Sequence, residues 1–280
     1  MCELLALSAN TPTDMRFSFH GLTRRGGATG CHGDGWGVAS FDPDGRGVHL
    51  YREDAPAAFS PIAAQVASLD LRAHCSIAHI RKATQGVVAL ENCHPFHRRW
   101  QGREWVFAHN GNLLGPLPQT RLFVPEGSTD SEVAFCWILE QLNAAGADPA
   151  DLDAIFDTLV LCARQLEQQG TFNCLISNGS WLFAHASSRL HRITRRAPFG
   201  RATLADDDLS VDFSELAGVD DVVTIVSTEP LTRDEAWLPL QAGEAVLLVG
   251  GEVVRHQPPG VPGTASPVPD RTLRRERTSG

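Results

Sequence analysis

A cysteine at position 2 is the first residue of the chain able to do covalent chemistry. Removal of Met1 would make it N-terminal and put a thiol and a free α-amine on one residue. The amine, with a reference pKa of about 7.7–8.0, suits a general base at neutral pH. It can take the thiol proton directly or through one water, the logic of N-terminal nucleophiles. Three further segments carry complementary groups. Ala78-His79-Ile80-Arg81-Lys82-Ala83-Thr84-Gln85-Gly86 follows a strand-like run and releases Arg81 into a small-residue loop. There a guanidinium can pair with a surface acid or grip a substrate carboxylate in bidentate fashion. Phe107-Ala108-His109-Asn110-Gly111-Asn112 sets the amide of Asn110 beside the Gly111 N–H, which makes either a turn or a two-donor oxyanion hole. Asp130 opens a capped helix, where a carboxylate serves the helix dipole or receives a substrate ammonium. A nucleophile, an oxyanion hole, a cation for an α-carboxylate and an anion for an α-ammonium together fit glutamine or a γ-glutamyl amide.

Elements of both kinds must position these groups. Thr129-Asp130-Ser131-Glu132 has capping-box form, and Val133, Ala134, Trp137, Ile138 and Leu142 follow at helical spacing. A second helix is predicted from about Pro149 to Gln169, with its stripe at Leu152, Ile155, Phe156, Leu159, Val160, Ala163 and Leu166, ended by Gly170. A shorter one is predicted over Ser60–Leu69. Strand-like runs fill the rest: Glu3–Ser8, Trp36–Phe41, Val48–Arg52, Cys75–Ile80, Glu104–His109, Asn173–Ser177, Trp181–His185, Leu190–Thr194, Val222–Ser227 and Ala245–Val249. Asn178-Gly179 and Gly250-Gly251 sit between such runs as hairpin turns, which imply antiparallel pairing. Strands and helices do not alternate regularly, so the expected class is α+β rather than a doubly wound parallel sheet.

The 280 residues carry a net charge of −9 and are 42% apolar. That balance disfavours nucleic-acid binding by bulk charge and attraction to anionic membrane surfaces. The longest apolar runs, such as Ala245–Val249, fall far short of the roughly 20 residues of a membrane span, and no secretory signal pattern follows Met1. Seven cysteines, at 2, 31, 75, 93, 136, 162 and 174, are odd in number and lack a C-x-x-C. They are expected to be thiols in a reducing cytoplasm, with Cys136, Cys162 and Cys174 buried. From Gln257 onward the chain turns to Pro, Gly, Ser and Arg, the composition of a disordered tail over 257–280. Residues 2–256 are expected to form one domain.

The motifs as a set resemble the class II glutamine amidotransferases, which are N-terminal-nucleophile amidohydrolases. The carrying residues are Met1-Cys2, Arg24-Arg25-Gly26-Gly27 leading to Asp34-Gly35-Trp36-Gly37, and His79-Ile80-Arg81. They continue through Asn92-Cys93-His94-Pro95-Phe96, His109-Asn110-Gly111 and Ser128-Thr129-Asp130-Ser131-Glu132. Met1-Cys2-Glu3-Leu4-Leu5 with Ser8-Ala9-Asn10, Ile193–Phe199 and Pro230-Leu231-Thr232 look more specifically like the stand-alone YafJ-type group. The resemblance covers about residues 2–256. It implies a four-layer αββα sandwich of two antiparallel sheets. It also implies that Cys2 attacks the γ-carbonyl carbon with its own amine as base, and that Asn110 and Gly111 hold the oxyanion. Arg81 would bind the α-carboxylate and Asp130 the α-ammonium, with Thr84 and His94 lining the pocket in a loop that closes on substrate. A γ-glutamyl thioester would form and be released by water, with no metal or organic cofactor. In the synthase relatives a His often follows the loop Thr, whereas Gln85 stands here.

Other readings carry less. His74, Cys75 and His79, or Cys93, His94 and His97, might suggest a metal hydrolase, but a five-residue offset in a strand sends His74 and His79 to opposite faces and no zinc spacing fits. Gly26–Gly37 lacks the features of a phosphate loop. Three functions stay open: a free-standing hydrolase of γ-glutamyl amides, a glutaminase subunit feeding ammonia to a separate synthase, and a non-catalytic γ-glutamyl sensor.

Overall fold

The apolar run beginning at Leu4 forms a strand buried on both faces, and the fold is organised around it. The computed structural model describes residues 2–260. Its strands are β1 (Glu3–Thr13), β2 (Trp36–Phe41), β3 (Val48–Glu53), β4 (Ala73–Ile80), β5 (Phe96–Trp100), β6 (Arg103–Leu113), β7 (Gly170–Ser177) and β8 (Leu182–Ala186). They continue with β9 (Leu190–Arg196), β10 (Arg201–Thr203), β11 (Ser210–Asp212), β12 (Val222–Ser227), β13 (Leu238–Leu240), β14 (Glu244–Val249) and β15 (Glu252–Gln257). The helices are α1 (Arg16–Arg25), α2 (Pro61–Val66), α3 (Asp130–Ala144) and α4 (Leu152–Glu167).

One sheet has seven strands in the order β13-β9-β12-β1-β4-β2-β3, the other six in the order β15-β14-β8-β7-β6-β5, and β10 pairs with β11 apart from both. The pairings within both sheets are antiparallel. Three buried clusters define the layers. Leu5, Leu7, Ile80 and Ile225 turn outward from the seven-stranded sheet and meet Phe19 and Leu22 of α1. Phe107, Phe172 and Phe183 turn outward from the six-stranded sheet and meet the apolar stripes of α3 and α4. Between the sheets lie Leu4, Ala6, Ala39, Ala108, Ala184 and Leu175. The result is the expected α+β sandwich, layered helix, sheet, sheet, helix.

Local signals account for the elements near the site. The Thr129 side chain caps α3 by accepting from the Glu132 N–H at 3.2 Å, and the Glu132 carboxylate accepts from the N–H groups of Glu126 and Gly127. Asp151 caps α4, so that helix starts at Leu152, three residues later than the sequence suggests. Gly250 and Gly251, at φ +55° and +78°, make the two-residue turn between β14 and β15. Gln257 still belongs to β15; the expected tail lies outside the described residues from position 261. Among the described residues no helix is long and apolar enough to cross a membrane.

The alanines of the inter-sheet layer set how closely the two sheets approach. Ala108→Leu, two residues before Asn110, should force them apart and cost about 1–3 kcal/mol, read as a lower midpoint in urea denaturation.

Candidate active site

Cys2 precedes β1 directly, and β1 pairs with β4 so that Glu3 faces Ile80 and Leu4 faces His79. By strand alternation Cys2 shares the inward face of Leu4 and Ala6. Its sulfur lies 3.3 Å from the backbone N of Lys82 and 3.4 Å from the Lys82 carbonyl oxygen. Burial pushes the thiol pKa up, and the Lys82 backbone N–H opposes that shift. On the far side of Lys82 its Nζ donates to Sγ of the exposed Cys31 at 3.0 Å, which lowers that thiol's pKa.

Asn110 lies on the facing sheet, on the inward side of β6 with Val106 and Ala108. One hydroxyl joins the two sheets here. Thr228, just past β12, accepts from the Leu4 N–H at 2.9 Å, and its Oγ1 lies 3.2 Å from Nδ2 of Asn110. With the amide so oriented, Asn110 Oδ1 is buried without a partner. Nor, among the described residues, does the Thr228 proton have an acceptor. The reverse orientation pairs the two, Thr228 O–H donating to Oδ1, and frees Nδ2 as a donor. The Asn110 carbonyl accepts from Asn173 Nδ2 at 2.9 Å, while Asn173 Oδ1 accepts from the backbone N–H groups of Ser187, Ser188 and Arg189. Next to Asn110, a Cβ on Gly111 would stand 1.8 Å from the Thr171 carbonyl oxygen, so this position requires glycine.

Arg81 and Asp130 are both buried, at 3% and 7% exposure, and neither has an oppositely charged partner among the described residues. The Arg81 guanidinium donates to the carbonyls of Val87 and Gln85, each at 3.1 Å, and organises the loop that follows β4. Asp130 Oδ2 accepts from the Leu113 N–H at 2.7 Å, and Ser131 donates to Oδ1 at 3.3 Å. Gln85 links the two charges. Its carbonyl receives Arg81, and its side-chain amide donates to Asn112 Oδ1 and, at 3.0 Å, to the Leu113 carbonyl. An uncompensated cation and an uncompensated anion at two ends of one hydrogen-bonded chain can receive a zwitterion.

Thr84 and His94, expected to line the pocket in a loop that closes on substrate, differ in exposure. Thr84 is exposed on the Arg81 loop. His94 is buried, its ring 4.2 Å from that of His79 and 4.4 Å from that of Phe96. His94 stands in the loop that leads into β5, with its ring turned into the protein interior. Among the described residues none of the four ring nitrogens of His79 and His94 has a hydrogen-bond partner, and burial holds both rings neutral, His79 at a pKa of about 3 and His94 well below its usual range. Among the described residues no three His, Cys, Asp or Glu side chains converge on a point that could hold a metal ion.

Sequence reasoning gave no separate role to the groups that hold Cys2 in place. Buried Arg25, at the end of α1, donates to Glu3 at 3.2 Å, to Asp206 at 2.7 Å, and to the carbonyls of Glu229 and Pro230. Burial raises the pKa of Glu3 and Arg25 opposes the rise. Thr228 reaches Leu4 across 224 positions and Asn173 reaches Asn110 across 63, and no local pattern marks either. Gln85 stands out in the sequence only as the residue after the loop Thr, not for the link its side chain makes.

The chain belongs to the class II glutamine amidotransferases, whose family pattern matches residues 1–270, and so to a family of enzymes. It is 47% identical over 256 residues to YafJ of Escherichia coli (strain K12), which carries a provisional glutamine amidotransferase name; the match covers 91% of this chain and 100% of that one. The crystal structure of a glutamine amidotransferase-like protein from Pseudomonas aeruginosa superposes with a TM-score of 0.72 at 43% identity, covering 91% of this chain and 100% of that one. A more distant relative, the γ-glutamyl-hercynylcysteine sulfoxide hydrolase of Mycobacterium tuberculosis (strain H37Rv), is 33% identical over 165 residues, 59% of this chain and 63% of that one.

Two outcomes follow from the geometry. Thr228→Val leaves the Leu4 N–H without its acceptor and should cost about 1–3 kcal/mol, measured by denaturant unfolding. His79 binds its proton less readily folded than unfolded, so its contribution to stability is present above pH 6.5 and lost as pH falls toward about 3. Urea midpoints at pH 7 and pH 4.5 should therefore diverge in the wild type, and less so in His79→Phe.

Proposed function

We propose that this enzyme hydrolyses γ-glutamyl amides, glutamine among them, through a γ-glutamyl thioester on Cys2. The observation that carries the reading is the pair of uncompensated buried charges, Arg81 and Asp130, joined through Gln85. An α-carboxylate on Arg81 and an α-ammonium on Asp130 complete both, and the γ-amide of the same amino acid then reaches toward Cys2. Loss of Met1 provides the Cys2 amine. Because burial raises the thiol pKa, the proton leaves in concert with attack, taken by that amine directly or through one water. Sulfur bonds to the γ-carbonyl carbon, and the oxygen becomes an oxyanion held by Asn110 Nδ2 and the Gly111 N–H. The C–N bond then breaks, and the proton held on the α-amine passes to the departing amine. Water, deprotonated by the same amine, attacks the thioester; glutamate departs and the thiol regains its proton. Thr84 meets the substrate from the exposed loop, and His94 supports the site from behind.

The named activity of the Mycobacterium tuberculosis relative, hydrolysis of a γ-glutamyl compound, supports water as the acceptor. Glutamine hydrolysis that begins only when a second protein is added would instead favour ammonia delivery to a separate synthase.

Intact mass before and after incubation with a diazo-ketone analogue of glutamine tests the reading. Loss of Met1 and a single adduct mapped to Cys2 is expected; retained Met1 with no adduct would overturn it. Cys2→Ala should abolish turnover with the fold intact. Arg81→Lys keeps the charge but loses the fork, and should raise KM roughly tenfold or more while kcat changes less.

A further inference from the structure

The motif Ile193–Phe199 contributes nothing to the site at Cys2. Two of its residues, Arg195 and Phe199, line a cavity of about 690 Å³ on the outer face of the seven-stranded sheet. The volume falls within the roughly 300–1,000 Å³ of small-molecule sites. Its floor is Leu7, Val223 and Ile225, on the face opposite the one that Cys2 shares with Leu4. Its walls include Phe17 of α1 and Phe213, just past β11, whose rings meet edge to face at 5.4 Å.

Three observations define what the cavity would take. Most of its charges are already paired: Arg195 lies over the Phe213 ring at 4.9 Å and donates twice to Glu235, while Arg16 and Arg72 pair with Asp14 and Asp70. Asp221 differs. Its oxygens accept from the Thr11 hydroxyl at 2.9 Å and the Gly218 N–H at 2.8 Å, and among the described residues no cation pairs with it. Ser18, only 6% exposed, lines the cavity with a hydroxyl that makes no hydrogen bond among the described residues. On a side chain otherwise covered by protein, that hydroxyl is open to the cavity and available to a ligand or water.

We propose that this cavity is a second small-molecule site, selective for an amine with an aryl or alkyl body. The body lies over Leu7, Val223 and Ile225 against the phenyl walls, the ammonium pairs with Asp221, and the Ser18 hydroxyl takes a remaining polar contact. An anion is disfavoured because the guanidinium groups are already neutralised. The site does not depend on chemistry at Cys2.

Calorimetric titration of the full chain with 2-phenylethylamine, 2-phenylethanol and 3-phenylpropionate tests the class. The amine is expected to bind saturably and more tightly than the alcohol, equally in wild type and Cys2→Ala. Asp221→Asn should weaken the amine by about fivefold, the scale of one partly exposed ion pair, and leave the alcohol unchanged. Ala217→Trp should fill the cavity and abolish both; if it does not fold, Ser18→Leu should weaken both. Absence of saturable binding, or tighter binding of the carboxylate, overturns the proposal. So would sedimentation showing a dimer that either filling variant dissociates, since the cavity would then be covered by a second copy of the chain.

Discussion

Strand β1 runs through the seven-stranded sheet between β12 and β4, so the start of the chain is paired on both edges. A chain terminus is ordinarily the least ordered part of a domain; here it is held by two ladders of backbone hydrogen bonds from Glu3 onward. Cys2 extends one residue beyond that ladder, and the backbone of Lys82 meets its sulfur from the β4 side. The neighbouring Glu3 points the other way and is bound to Arg25, itself anchored to Asp206 and the 229–230 carbonyls. Rotation of the first residues would break a buried ion pair, a change that costs about 3–5 kcal/mol when one partner is left alone.

The same economy of position holds between the sheets. Small residues let the two inner faces approach, and Thr228 then spans them with one hydroxyl, touching both Leu4 and Asn110. Asn173 fixes the Asn110 backbone from β7 while its own carbonyl oxygen is saturated by three N–H groups. In the proposed reaction, a donor fixed in this way needs little reorganisation when charge develops on a substrate oxygen.

Much of the fold was legible because its signals are local. The Thr129–Glu132 cap, the stripes of α3 and α4 and the Gly250-Gly251 turn each lie within a few residues and match the structure closely. Helix α1 was not legible: Met15 provides no side-chain cap, no acid stands in its first turn, and Gly21 interrupts it. Strand β5, Phe96–Trp100, reads as a charged segment because two arginines and a histidine fall in five residues; it is half-buried at one edge of its sheet. In the site, Cys2, Arg81 and Asp130 announce themselves by residue type at element ends; Asn110 does so by type alone, since β6 continues past the expected end at His109 to Leu113 and holds Asn110 within its ladder. Thr228 and Asn173 do not, because their meaning comes only from partners far away in sequence, and Gln85 is noticed there without the link it makes to Asn112 and Leu113.

The two interior histidines bear on why Arg81 can stand buried without a carboxylate. His79 lies two residues before it and His94 stacks on His79. Were either ring charged at neutral pH, it would add a second cation to a site of low dielectric and compete with Arg81 for any anion that enters. Burial keeps both neutral, with His79 at a pKa of about 3. In the reading proposed above, Arg81 is then the buried cation offered to the α-carboxylate, while Lys82 turns its Nζ to Cys31 and the carbonyls of Gln85 and Val87 spread the Arg81 charge. The cost of an unpaired buried cation is thus partly met by backbone dipoles, and in the proposed reading the remainder becomes affinity for the α-carboxylate that completes it.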